Sequence, residues 1–192
     1  MCSNMLLLIA SLSWVFIGVV RCQDFAGMKP CPAIKFNFSH SVDELLGHWH
    51  ITLLIMEKAS EQFEDRPLCI QGKLVKTNST ELIQLWKLKL PELLHQDETE
   101  IDFPTTIVQP GIWIVRSPFG VEMTGTILDT DGKSYLLIMY CGRTPDLSAH
   151  FMTLMMSREN VVTPRQRLQY LSVLIKNGFD PFQDRIVSWS DC

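Results

Sequence analysis

The feature that most constrains this chain is a series of short, strand-like segments separated by turn residues. The first begins at His48, and apolar and polar side chains alternate along it. Six further segments of this kind follow: 68–76, 81–90, 111–116, 121–128, 134–141 and 149–157. Many short strands at hairpin spacing favour an antiparallel sandwich or barrel over alternating βαβ units. The segment 91–104 is too polar and too closely bounded by proline to assign, so the pattern predicts one all-β domain.

One helix is predicted after the last strand-like segment. Thr163 can cap it, Pro164 suits its first turn, and Gly178 follows where a left-handed stop is expected. A single amphipathic helix after a run of strands packs its apolar stripe against the outer surface of the sheet. The residues predicted to form that stripe are Leu168, Leu171 and Ile175.

The N-terminus carries an apolar stretch without a charge, Met5–Val20. A membrane span needs about 20 apolar residues, so this shorter run favours a signal peptide over residues 1–22, cleaved before Gln23. No basic residue precedes the run, which leaves an uncleaved anchor as the alternative. The remaining chain, 23–192, has the length of one domain.

The charge of the chain argues against a nucleic-acid partner. The net charge is −4, and the lysines and arginines do not form clusters. Affinity for phosphate depends on basic patches, which this sequence lacks. Together with the signal peptide, this predicts a secreted, extracellular protein without stable membrane insertion.

Cysteine usage fits passage through the secretory pathway. Four cysteines follow the predicted signal: Cys31, Cys69, Cys141 and Cys192. They can pair in three ways, and the sequence alone does not choose among them. None lies in a CxxC motif, which disfavours a zinc ribbon or a thioredoxin-like site. Two sequons, at Asn37 and Asn78, are predicted glycosylation sites.

Three short segments resemble the signature of the lipocalin family. The first is Gly47–Trp49, which follows a helical turn that Ser41–Glu44 would open as a capping box. The second is Thr130–Gly132, where lipocalins carry Thr-Asp-Tyr, and the third is Arg158 after the last strand. The signature residues are therefore Gly47, Trp49, Thr130, Asp131 and Arg158.

Within that family the chain most resembles the apolipoprotein D group, which includes insecticyanin-type and bilin-binding insect lipocalins. The marks of this likeness are Cys31-Pro32, Cys69 at the second strand, the segment 135–141 and a terminal cysteine. The resemblance implies two disulfides, Cys31–Cys141 and Cys69–Cys192, and a protein of arthropod origin.

The resemblance also implies the architecture. It is an eight-stranded, up-and-down antiparallel barrel with one C-terminal α-helix packed outside, and such a barrel has room for one small apolar ligand. Arg158 is expected to lie over Trp49 at the closed end as a cation–π pair. Gly132, in place of the family's tyrosine, is expected to loosen one loop at that end.

Alternation along the strands predicts which side chains face the ligand. Methionine and aromatic side chains suit adaptable apolar pockets, although each is also an ordinary core residue. If alternation along the last strand is counted from an inward position at Arg158, Met155 is predicted to face outward, against the helix. The predicted ligand-binding residues are Ile51, Leu53, Ile55, Leu82, Gln84, Trp86, Trp113, Met123, Met152, Leu154 and Met156.

Neither a metal site nor an active site is predicted. His48 and His50 alternate away from Trp49. His150 shares the parity of Met152 and could face a haem in the cup, but a solvent-exposed or hydrogen-bonded histidine is the favoured interpretation. No cluster of histidines and carboxylates has zinc spacing. The implied disulfides leave no thiol for catalysis, so the chain is predicted not to be an enzyme.

These features predict an extracellular carrier that holds a small hydrophobic molecule, such as a bilin, retinoid, sterol or fatty acid, inside the barrel. No cofactor is required, although a pigment or lipid can be bound, and a cell-surface receptor is a candidate partner. Two alternatives stay open: a secreted protein-binding module or inhibitor that works through the barrel loops, and a scavenger of haem or biogenic amines. Fold does not fix function, so the sequence does not name the ligand.

Overall fold

A computed structural model describes residues 30–32, 34, 38–56, 69–89, 99–118, 120–143, 148–180 and 186–188. The elements in these ranges are a 3-10 helix Val42–Leu45, β1 Gly47–Met56, β2 Cys69–Lys76, β3 Glu81–Lys89, β4 Thr99–Gln109, β5 Ile112–Arg116, β6 Glu122–Thr130, β7 Tyr135–Arg143, β8 Ser148–Ser157, α1 Pro164–Lys176 and β9 Ile186–Ser188. The predicted signal peptide, Asn37 and Cys192 lie outside the described residues. No helix in these ranges is both long and apolar enough to cross a membrane.

Strands β1 to β8 form a closed barrel. Each strand pairs antiparallel with the next, and β1 pairs with both β2 and β8. Short strand β9 runs beside the second half of β1, where Leu53–Ile55 pair with Ile186–Ser188. The predicted eight-stranded, up-and-down antiparallel barrel with one C-terminal helix is confirmed.

The barrel has a closed end, at which β1 begins. The 3-10 helix leads into β1 there, and the turns that join β2 to β3, β4 to β5 and β6 to β7 lie at the same end because the strands alternate in direction. Strands β1, β3, β5 and β7 therefore run towards the opposite end, which is called the open end below.

Strand β4 covers part of the segment that the sequence pattern left unassigned. Ile101 and Phe103 point inward along it, while Glu100 and Asp102 are exposed on its outer face. Pro104 is also exposed and pairs with Ile83 of β3 in the ladder. Polar residues and a proline on one face of an amphipathic strand explain why this strand was not recognised.

Both predicted helix caps are present. Ser41 and Glu44 form a capping box on the 3-10 helix. Thr163 accepts a hydrogen bond from the backbone of Gln166 at the start of α1, with Pro164 in the first turn. Gly178 follows the helix with a φ of 87°, a left-handed conformation that glycine adopts without steric cost.

Helix α1 packs against the outside of the barrel, but only one residue of the predicted stripe takes part in this contact. Tyr170 and Leu174 are its buried residues, and Leu171 of the predicted stripe is partly buried beside them. Leu168 and Ile175, by contrast, are 69% and 55% exposed. Tyr170 and Leu174 lie one turn apart and so form a stripe of their own. The Tyr170 ring meets the Tyr135 ring of β7 with the centroids 5.2 Å apart, which fixes this stripe against the sheet.

An irregularity in β1 reverses the predicted direction of Leu53 and Ile55. Ile51 lies opposite Met156 of β8, but the next pair is Leu53 with Met155, so Thr52 is an extra residue in β1. Such a bulge shifts the alternation by one position. Leu53 and Ile55 consequently join the outer core beneath α1, so the prediction that they face the ligand is wrong.

The same outer core contains Met155, fully buried among the residues that face α1. Its predicted outward direction is therefore confirmed. The residues that make up this outer core are Leu53, Ile55, Tyr135, Leu137, Met139, Cys141, Met155, Tyr170, Leu174 and Phe179.

One predicted disulfide is confirmed. Cys31 is bonded to Cys141 on β7, with the two Cα atoms 6.1 Å apart. This bond ties the segment before the 3-10 helix to the outside of the barrel. Cys69 is also disulfide-bonded, and its pairing with Cys192 stays a prediction.

Candidate ligand-binding site

The half of the barrel towards the open end encloses a cavity of about 190 Å³. Its walls come from all eight barrel strands and are almost entirely apolar. The lining residues are Ile51, Leu54, Ile70, Gln84, Trp86, Leu88, Ile101, Phe103, Val115, Met123, Tyr140, Met152 and Leu154. No charged side chain belongs to this lining, as far as the described residues show.

Six of the predicted ligand-binding residues line this cavity. They are Ile51, Gln84, Trp86, Met123, Met152 and Leu154. Three others, Leu82, Trp113 and Met156, point into the barrel but lie in the packed core nearer the closed end. Whether the lining residues contact a ligand stays a prediction.

Several lining residues were not among those predicted. Leu54 replaces Leu53 because of the bulge in β1. Ile101 and Phe103 lie on β4, the strand that was not recognised. The others, Ile70, Leu88, Val115 and Tyr140, carry the inward parity of their strands. Simple alternation from Trp86 reaches Leu88 and from Trp113 reaches Val115, whereas Ile70 and Tyr140 lie on strands for which no inward residue was predicted.

The closed end is sealed by the predicted pair of Trp49 and Arg158. The guanidinium carbon lies 3.6 Å from the centroid of the Trp49 ring, which is fully buried. Arg158 also donates hydrogen bonds to the backbone carbonyls of His48 at 2.6 Å and Leu46 at 2.8 Å. Trp49 Nε1 donates to the carbonyl of Leu45 at 2.7 Å. Burial lowers the pKa of Arg158, but arginine stays charged in proteins.

The β6–β7 turn beside this pair is held by Thr130 and Asp131. The Asp131 carboxylate accepts hydrogen bonds from the Ser134 hydroxyl and from the backbone N–H groups of Lys133 and Ser134. Thr130 Oγ1 donates to the carbonyl of Tyr135 at 2.5 Å. The predicted loosening of this loop is not what the structure shows.

Gly132 fits this turn for a steric reason. Its φ is 73°, and a Cβ atom there would lie 2.5 Å from Glu44 Oε2 and 2.6 Å from His40 Nδ1. The hydrogen-bonded His40–Glu44 pair, at 2.9 Å, therefore occupies the space that a larger residue would need. Contact between this pair and the glycine holds the turn against the 3-10 helix.

One hydrogen-bonded cluster interrupts the apolar wall of the cavity. Gln84 Nε2 donates to Thr105 Oγ1 at 3.0 Å, and Gln84 Oε1 accepts from the Tyr140 hydroxyl at 3.0 Å. Trp86 Nε1 lies 3.4 Å from the same oxygen. Burial raises the pKa of the Tyr140 hydroxyl, so the phenol is neutral at physiological pH.

No histidine belongs to the lining that the described residues form. His150 is 2% exposed, but its ring packs against Phe179 outside the barrel and its Nε2 lies 2.9 Å from Thr153 Oγ1. An irregularity opposite Tyr140 and Cys141 skips Phe151 and turns His150 outward. The interpretation of His150 as a hydrogen-bonded residue is thus confirmed. Within the described ranges, no group of histidine, cysteine and carboxylate residues could hold a metal ion.

Comparisons with known proteins give matches at the level of structure. No family model and no curated protein matches the sequence. Lobster apocrustacyanin A1 superposes with a TM-score of 0.66 at 9% identity, covering 89% of this chain and 94% of that one. The siderocalin Ex-FABP gives 0.59 at 17% identity, covering 78% and 95%. The bovine lipocalin allergen Bos d 2 gives 0.58 at 11% identity, covering 78% and 94%. The chain therefore has the lipocalin fold.

Proposed function

We propose that this chain is a secreted lipocalin that carries a small hydrophobic molecule in its barrel. The observation that carries the proposal is the cavity of about 190 Å³, which has an apolar wall and lies in only one half of a barrel otherwise packed with side chains. Burial of apolar ligand surface there contributes about 25 cal/mol per Å². Concave, mostly apolar cavities with a few polar groups are typical ligand sites.

Two further observations support the extracellular role. The Cys31–Cys141 disulfide suits an oxidising compartment, where such bonds persist. Asn78 of the second sequon is exposed in the turn between β2 and β3, where a glycan would be accessible to solvent. In this proposal the protein is secreted after cleavage of residues 1–22 and is related to arthropod lipocalins.

One of the similar structures supports a carrier. The siderocalin Ex-FABP functions through dual ligand specificities. The cavity also favours the carrier over the alternatives. A protein-binding module with a filled barrel would need no such cavity, and a haem carrier would need a histidine in its wall.

The test is titration with the apolar fluorescent probe N-phenyl-1-naphthylamine, whose emission rises in apolar surroundings. We expect saturable binding at one site per chain. In Leu154→Glu the carboxylate would enter a wall without a compensating charge, which is costly, so we expect at least a tenfold loss of affinity. Leu168→Glu, on the exposed face of α1, is the matched control and should bind like the parent.

A second variant keeps the test decisive if Leu154→Glu does not fold. Leu154→Phe stays apolar and fills part of the cavity, so it should weaken binding of the probe while circular dichroism stays native. Saturable binding that neither Leu154 variant affects would place the site elsewhere. Absence of binding for this probe and for a retinoid, a bilin and a fatty acid would contradict the carrier function.

A further inference from the structure

The polar cluster in the cavity wall carries information about the ligand. The side chains of Gln84, Trp86 and Tyr140 line the cavity, and Thr105 supports them from behind. Gln84, Thr105 and Tyr140 are at most 3% exposed. The direction in which each hydrogen bond runs decides which kind of group the cluster can still bind.

The directions are fixed by a backbone carbonyl. A carbonyl oxygen only accepts hydrogen bonds, and Phe103 O accepts from the Thr105 hydroxyl at 2.9 Å. Thr105 has thereby used its one proton, so its oxygen must accept from the amide nitrogen of Gln84. The amide oxygen of Gln84 then faces Tyr140, whose hydroxyl must donate to it.

This chain of bonds leaves two hydrogen-bonding positions for a ligand. The Tyr140 proton is directed at Gln84, so the phenol oxygen offers a lone pair to a donor. The amide nitrogen of Gln84 carries a second hydrogen that a ligand oxygen could accept. A group that both donates and accepts, as a hydroxyl does, matches this pair.

On β3 and β7 the cluster marks the inner limit of the cavity wall. The next inward residues towards the closed end are Leu82 on β3 and Ile138 on β7; both are buried in the core and neither lines the cavity. Beyond Gln84 in the other direction, Trp86 and Leu88 continue the wall towards the open end. A ligand would therefore place its polar group at the bottom and its apolar part towards the opening.

The absence of charge from this wall excludes an ionised group at the same place. No lysine, arginine or histidine belongs to the lining within the described ranges. A carboxylate at the inner end would be desolvated without a counter-charge, which costs far more than burying a neutral hydroxyl. The bottom of the cavity therefore discriminates by charge as well as by hydrogen bonding.

We propose that the carried molecule is a neutral, apolar alcohol whose hydroxyl enters first, donates to Tyr140 Oη and accepts from Gln84 Nε2. This inference rests on the carrier function proposed above and specifies its ligand class. Trp86 and Leu154 then pack against the apolar part of the alcohol.

Three ligands of matched size test the inference: 1-undecanol, its isomer decyl methyl ether, which only accepts hydrogen bonds, and undecanoate, which is anionic. Affinities are measured by displacement of N-phenyl-1-naphthylamine. We expect 1-undecanol to bind about threefold to tenfold more tightly than the ether, the worth of one net hydrogen bond, and undecanoate to bind most weakly.

Two variants assign this preference to the cluster. Tyr140→Phe removes the acceptor and should bring the affinity for 1-undecanol down to that for the ether. Thr105→Val removes the hydroxyl that links Gln84 to the carbonyl of Phe103. The Gln84 amide is then no longer held in one orientation, and the Tyr140 hydroxyl can donate its proton to a ligand instead. In that variant the preference for the alcohol over the ether should shrink while the apolar probe still binds.

The outcomes separate this inference from the carrier function. If Tyr140→Phe keeps the full preference for the alcohol, or undecanoate binds most tightly to the parent, the alcohol assignment is wrong although the chain is still a carrier. If the apolar probe binds but all three ligands bind equally, the assignment is also wrong. If neither the probe nor any ligand binds, both proposals fail.

Discussion

The two halves of the barrel obey the same inward alternation but are filled differently. In the closed half, the rings of Trp49 and Trp113 are fully buried, and Leu45 of the 3-10 helix is buried beneath them. Arg158 covers this half from outside. In the half towards the open end, aliphatic side chains such as Leu154 and Met123 and aromatic ones such as Trp86 enclose a cavity of about 190 Å³.

The difference shows how a small barrel can contain empty space and still be stable. Atoms that line a cavity lose packing contacts, at a cost on the order of 20 cal/mol for each Å³. A carrier therefore needs dense packing elsewhere, and here two tryptophans, a helical turn and an arginine supply it. Stability is therefore expected to depend mainly on the closed half, and selection of the proposed ligand on the other half.

The largest effect should come from truncating the same residue type in each half. Leu82 and Leu88 lie on β3 with the same inward parity, but Leu82 is buried in the closed half and Leu88 lines the cavity. Leu82→Ala should lower the free energy of unfolding by about 3 kcal/mol, and Leu88→Ala by only about 1 kcal/mol because its contacts are fewer. Urea denaturation measures both.

Ligand affinity should respond in the opposite order. Leu88→Ala should weaken binding of N-phenyl-1-naphthylamine, while Leu82→Ala should leave it nearly unchanged at temperatures where the protein is folded. Equal losses of stability in the two variants would show that the halves are packed alike. That result would remove the basis for the comparison.

A smaller effect is expected from Arg158, which belongs to the closed half alone. Arg158→Ala loses the cation–π contact with Trp49 and the hydrogen bonds to His48 and Leu46. We expect about 2 kcal/mol of destabilisation and unchanged ligand affinity, measured by thermal unfolding and probe titration.

Arg158→Lys is the matched control for this prediction. It keeps the charge over the ring but loses the planar fork that reaches several carbonyls at once. Its stability should therefore lie between those of the parent and the alanine variant. A large loss of affinity at unchanged stability would mean that the ligand lies at the closed end.

Local signals were sufficient to predict an all-β domain with one packed helix, whereas the eight-stranded barrel followed from the resemblance to lipocalins. The capping box at Ser41, the stop at Gly178 and the alternation along β3 each depend on neighbouring residues. The Trp49–Arg158 contact joins distant parts of the chain, and only the resemblance to lipocalins made it predictable. The same holds for the Cys31–Cys141 disulfide.

Only about half of the cavity-lining residues were predicted from the sequence. The errors in β1 and α1 occur where tertiary packing decides which of two similar apolar patterns faces inward. Leu53 and Leu54 are adjacent and equally apolar, so only the bulge opposite Met155 decides that Leu54 faces the cavity. Helix α1 likewise carries two apolar stripes, and the pairing of Tyr170 with Tyr135 selects the one that is buried. Alternation cannot detect a shift of one residue.

The smallest predicted effect concerns pH and the turn that holds the closed end. Burial raises the pKa of Asp131, but hydrogen bonds from Ser134 and from the backbone of Lys133 outweigh it and lower the pKa from 3.8 to about 2. Because the folded state binds the proton more weakly than the unfolded state, the contribution of Asp131 is complete above about pH 4 and is lost as the pH falls to about 2. The side chain is largely exposed, so solvent screening should keep this contribution below about 1 kcal/mol.

Asp131→Asn keeps an acceptor oxygen but removes the charge, and its free energy of unfolding should vary less than that of the parent between pH 4 and pH 2. Urea denaturation at pH 6, 4, 3 and 2 measures the difference, and parallel curves for the two proteins would contradict this role of the carboxylate. Probe affinity at pH 6 should be the same for both, because the turn lies at the end of the barrel opposite the cavity.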